Sequence, residues 1–188
     1  MAAIDVAGFV ADLKDHAVEH GFHIHEERHF VETYSLRQTW EVELHPEDAC
    51  DGPLHLHLSV DVDPRVLLAF EDIVLALNEE DDEPPEGLHF PIVFNWSLPP
   101  LQHLPDLLVL ATELAAIGGP DLPIEVSAID STASVIEAPE RTIAVSARAE
   151  VSLSGMYSGA QQLCDELERC KEVSHFLLER APIWLEGS

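Results

Sequence analysis

From Leu54 to Val62 the chain alternates without a break: Leu54, Leu56, Leu58, Val60 and Val62 are apolar, with His55, His57, Ser59 and Asp61 between them. A period of two sends every apolar side chain to one face of a strand and every polar one to the other. The segment therefore has to lie in a sheet with one buried and one wet face. The same pattern precedes it, where Leu36, Trp40, Val42 and Leu44 alternate with Arg37, Thr39, Glu41, Glu43 and His45. Between the runs lie Pro46, Asp51, Gly52 and Pro53, so the two strands are expected to pair antiparallel. Centring the turn near Ala49 sets Glu43 opposite His55, Glu41 opposite His57 and Arg37 opposite Asp61, all on the wet face.

The rest of the chain is read by the same periods. Val6, Phe9, Val10, Leu13 and Ala17 recur at helical spacing and meet Gly21, which predicts an amphipathic helix and its stop. From Phe22 the period falls to two. Asp63 and Pro64 supply a cap and a first-turn proline for a helix over 65–78, whose apolar residues nearly encircle it and predict burial. Leu88, Phe90, Ile92 and Phe94 predict a strand, and a largely buried helix follows over 105–117. Strands are expected over 122–130, 133–137 and 142–153. Ser158 and Gln161 stand at capping-box spacing before a last helix running to about Arg180.

These elements make an α+β fold, an antiparallel sheet with about four helices. Residues 1–188 are read as a single compact domain. A second arrangement fits the element order, two similar helix-strands-helix halves, 1–80 and 88–188, joined by the acidic, proline-containing segment 78–87. The order also resembles bacterial secretion-chaperone folds over at most about two thirds of the chain, a likeness of element order without signature residues.

Charge narrows the partners. Asp and Glu number 36 against 9 Lys and Arg, a formal net charge of -27, which repels nucleic acid and anionic membranes and favours basic protein partners. Proteome-wide acidity, as in high-GC or salt-adapted organisms, explains the same numbers. No run approaches the roughly 18 apolar residues of a membrane span. The first ten residues hold Asp5 and no basic residue, unlike a secretory signal, and three cysteines fit neither a zinc knuckle nor a redox pair. The cytoplasm is the expected compartment.

Two sets of residues could carry chemistry. His55, His57, Glu41 and Glu43 share the wet face and offer two imidazoles and two carboxylates, a set suited to zinc. The plain alternative is cross-strand charge pairing, with no cofactor at all. His25, Glu26, Glu27, Arg28 and His29 spell H-E-x-x-H, in which histidines one helical turn apart bind zinc and the glutamate acts as base. That chemistry requires a helix, whereas this segment follows Gly21 in period-two sequence, so His25, Glu26 and His29 are expected on a strand or loop. No phosphate-cradling loop, serine elbow or basic aromatic stripe is present. The expected function is therefore a non-catalytic protein-binding module of chaperone, immunity or adaptor type, with homo-oligomerisation open. The alternatives are a metal-dependent enzyme or metal-binding protein using the histidine-rich face, and a nucleic-acid mimic.

Overall fold

The computed structural model describes residues 4–77, 84, 86–132, 140–160 and 163–185 of the chain. In order, the elements are α1 (Val6–Glu19), β1 (Phe22–Val31), β2 (Gln38–Pro46), β3 (His55–Val62), α2 (Pro64–Ala76), β4 (His89–Ser97), α3 (Leu107–Gly118), β5 (Ile124–Ser131), β6 (Glu140–Ser152), α4 (Leu153–Ser158) and α5 (Cys164–Leu185). Among the described residues six strands form one sheet in the order β1-β2-β3-β4-β6-β5. Every neighbouring pair is antiparallel, and β3 pairs with β4 across the middle of the chain. The fold is α+β, as alternation and helical spacing predict. The predicted strand 133–137, most of the segment 78–87 and Gln161 lie outside the described residues.

Short acidic side chains start three of the helices. Asp5 accepts the N–H of Gly8, Asp63 that of Arg65, and Asp106 those of Leu108 and Val109, each satisfying amides that the first turn leaves open. At the other end of α1, Gly21 takes φ +80°, a conformation glycine adopts without a Cβ penalty, and turns the chain into β1. Ser158 does not cap the last helix. It ends α4, where its hydroxyl donates to the Gly155 carbonyl, and α5 begins further on at Cys164.

One face of the sheet carries the core. Trp40, Val42 and Leu44 of β2, Leu56, Leu58, Val60 and Val62 of β3, and Phe90, Ile92, Phe94 and Trp96 of β4 are all buried. On this face α1 sets Val10, Leu13 and Ala17 against Val42, Leu44 and Leu58, while Phe9 meets the Phe90 ring edge-on at 5.8 Å. From α5, Ser174 reaches Trp96, whose indole N–H donates to its hydroxyl at 2.9 Å. Trp96 and Trp184 belong to β4 and α5 and are buried. The alternation of Phe90, Ile92 and Phe94 continues into Trp96, and only the prolines after Ser97 stop it.

The β1–β2 connection stores strain in one residue. Leu36 sits at φ +58°, held by its own N–H to the Glu32 carbonyl, and its side chain is 60% exposed. A branched side chain in this left-handed region costs about 1–2 kcal/mol. Leu36→Asn, which tolerates that conformation, is expected to raise stability by roughly 0.5–1 kcal/mol in urea unfolding. An unchanged or lower midpoint would mean that the strain is offset elsewhere.

The helical layer departs from the sequence reading in one respect. Its near-continuous apolar sequence predicts that α2 is buried on most sides, yet Phe70 is its one buried residue, and Leu68 and Leu75 are 59% and 78% exposed. In α3, Leu110 and Leu114 are buried while Leu108 and Val109 are 78% and 55% exposed. Periodicity reports how many faces of a helix are apolar, not how many are covered within the same chain.

Candidate functional site

The open face of the sheet holds the predicted polar residues, arranged by a register that differs from the expected one. Two successive turns, Ala49 N–H to the Pro46 carbonyl and Gly52 N–H to the Ala49 carbonyl, shift the hairpin centre one residue on. Glu43 consequently pairs with His57, Glu41 with Ser59 and Thr39 with Asp61. The predicted side-chain contacts partly persist as diagonals. Glu43 Oε1 lies 3.0 Å from His55 Nδ1, and Arg37 Nε donates to Asp61 at 2.6 Å. His57 stacks on His55 with centroids 6.5 Å apart, and with Glu41, Glu43, Glu26 and Arg28 it lines a depression of about 60 Å³.

A bulge in β1 adds to this face. Ile24 pairs with Leu44 but Glu26 with Glu43, so His25 is an extra residue between them. A bulged strand lays two consecutive side chains on one side. Glu26 faces Glu43, and the His25 ring lies 4.4 Å from that of His45. Beyond the bulge the parity is inverted, and His29 goes to the core side, stacked on Trp40 at 4.1 Å and bonded to Gln38. The two histidines of the H-E-x-x-H string thus lie on opposite faces of a strand, while Glu26 is engaged by Arg28 through two hydrogen bonds of 3.0 and 2.7 Å. His23 turns toward Cys50, with Nδ1 2.9 Å from Sγ.

At the centre stands His45, which shares the parity of Glu43 and is only 4% exposed. Its Nε2 is 3.1 Å from Glu43 Oε1, its ring is flanked by His25 and by His55 at 5.3 Å, and its Nδ1 meets no hydrogen-bond partner among the described residues. A buried nitrogen left so costs roughly 1–3 kcal/mol. Glu43 is thus shared by two imidazoles on one carboxylate oxygen, and Glu43, His45 and His55 bring one ligand-type atom each to within 4.8 Å of one another. Sequence reading found Glu43 and His55 through parity. His45 carries the same parity two residues beyond Glu43, and parity alone does not mark it as buried.

The hydrogen bonds from His55 and then His45 hold the Glu43 carboxyl down at about 2. Because the folded value lies below the unfolded one near ~4.3, the contribution is complete above the unfolded value and is lost as pH falls through the folded one. Glu43→Gln is expected to remove about 1–2 kcal/mol at neutral pH, after discounting for solvent screening, and progressively less between about pH 5 and 2. Urea unfolding of both proteins across that range checks this. A difference that stays constant with pH would mean that Glu43 titrates normally.

Comparison of the chain with protein-family models, curated proteins and solved structures returns no match. Besides the histidine-rich face, the second candidate surface is the outer side of the helical layer. On α2, Leu68 and Leu75 are separated by two helical turns and share one exposed stripe, with Glu71 and Asp72 between them, one turn from each. Among the described residues no helix is long and apolar enough to cross a membrane.

Proposed function

We propose that this protein is a non-catalytic protein-binding module, of the chaperone, immunity or adaptor kind, that engages its partner through the outer side of its helical layer. The observation that carries this reading is the outer side of α2, where Leu68 and Leu75 stay exposed while Phe70 is buried and Val66, Leu67 and Val74 pack against the core. An apolar helix face on a globular protein is ordinarily covered, and here Leu68 and Leu75 are exposed. The same holds for Leu108 and Val109 on α3.

The charge supports the kind of partner. At -27 the chain repels other acidic surfaces, so a basic rim around an apolar patch is the complementary surface, and it accelerates encounter at low salt. A second copy of the chain is the less favoured occupant on the same ground. The test is native mass spectrometry of the protein isolated from its own cells, beside sedimentation of the recombinant chain. A stoichiometric complex that is lost in the Leu68→Gln/Leu75→Gln variant is expected. Wild-type protein recovered alone and monomeric, or a complex indifferent to the substitutions, would overturn the reading.

A further inference from the structure

On the opposite side of the molecule, we propose that Glu43, His45 and His55 bind one divalent cation of the zinc class, with a further coordination position open to solvent. The donor set is two imidazole nitrogens and one carboxylate oxygen, which suits zinc and its borderline neighbours and leaves room for water as a fourth ligand. The spacing fits. Ligands about 2.1 Å from a tetrahedral ion stand roughly 3.4 Å from one another, and Glu43 Oε1 already lies 3.1 Å from His45 Nε2 and 3.0 Å from His55 Nδ1. Admitting an ion requires these two contacts to open by a few tenths of an ångström, with the two imidazole nitrogens, which lie within 4.8 Å of each other, completing the triangle.

Rigidity favours the same atoms. Glu43 and His45 come from β2 and His55 from the adjacent β3; Glu43 is paired with His57, His45 with His23 of β1 and His55 with Ser97 of β4, so each Cα is held in the sheet. The second observation is His45 itself. Its ring is 4% exposed, with Nδ1 unpartnered among the described residues. An apolar side chain would fill such a place without an unsatisfied nitrogen, whereas an imidazole there delivers Nε2 to the Glu43 oxygen. His25, packed on the His45 ring at 4.4 Å, shields it from water. His57 lies outside the set, and Glu41 pairs with Ser59 one row away.

The experiment uses untagged full-length protein, stripped with a chelator and titrated with Co²⁺, followed by displacement with Zn²⁺. Saturation at one Co²⁺ per chain, with the visible bands of a four-coordinate ion, is expected. His55→Ala and Glu43→Gln, at an exposed and a half-buried position, should each weaken binding by more than about tenfold, the least that loss of even a supporting contact produces. His57→Ala should change it by less than about threefold, on the same scale. Circular dichroism verifies that each variant is folded. Binding weaker than about 100 μM in the wild type, or unchanged in both His55→Ala and Glu43→Gln, would overturn the proposal, as would a loss in His57→Ala as large as that in His55→Ala.

Discussion

Trp96→Ala is expected to destabilise the protein by roughly 3–5 kcal/mol, the range for removing a large aromatic from a packed core. Trp96 is 2% exposed on β4, which pairs with β3 on one side and β6 on the other, so little around it can collapse into the space. Its indole N–H donates to Ser174, whose hydroxyl in turn donates to the Cys170 carbonyl at 2.8 Å, a chain that ties sheet to α5. Removing the two partners is not equivalent. Trp96→Phe leaves Ser174 still bonded to Cys170, whereas Ser174→Ala leaves a buried indole N–H unpartnered, at about 1–3 kcal/mol. Urea unfolding of the three variants orders them; a Trp96→Ala loss under ~1 kcal/mol would mean that the tryptophan is not packed as described.

The second large effect is on association. Replacing Leu68 and Leu75 by glutamine changes apolarity without changing charge, and glutamine is as good a helix former as leucine. Each leucine is largely exposed in the free chain, so its stability should move by less than ~0.5 kcal/mol. In a complex that buries them, each would lose about 1.5–3 kcal/mol, together a weakening of roughly 10²–10⁴-fold. A variant that unfolds as readily as the wild type but no longer holds its partner separates an interface from a structural role. Equal loss of stability and binding would place the two leucines in the core.

What the sequence disclosed follows from which physical cause is local. Alternation in Leu54–Val62 states directly which side chains face the core, and the Asp63–Pro64 pair marks a helix start within two residues, so both are readable without a structure. The register of β2 on β3 was missed by two because it depends on the turns over Pro46–Gly52, which parity does not constrain. The face assignment survived that error, since a slip of two preserves parity, and so Glu43 still met His55.

The bulge at His25 was invisible for the opposite reason. One inserted residue inverts parity, and it sends His29 to Trp40 while adding His25 to the polar face. His45 was read as one more wet-face residue, because its burial is made by the neighbouring His25 and His55 rings and not by its own strand. The exposure of Leu68 and Leu75 was illegible too. How many layers cover an apolar helix is decided by the remainder of the chain, or by another one.

Amide hydrogen exchange along α2, compared between the isolated chain and its complex, tests most directly whether this helix is the binding surface. If α2 is half covered in the free protein, the amides from Leu67 to Ala76 should exchange readily there and slow by at least about tenfold in the complex, the counterpart of some 1.4 kcal/mol of local stabilisation. Unchanged exchange over α2, with new protection confined to β1, β2 and β3, would contradict the assignment and move the interface to the histidine-bearing face.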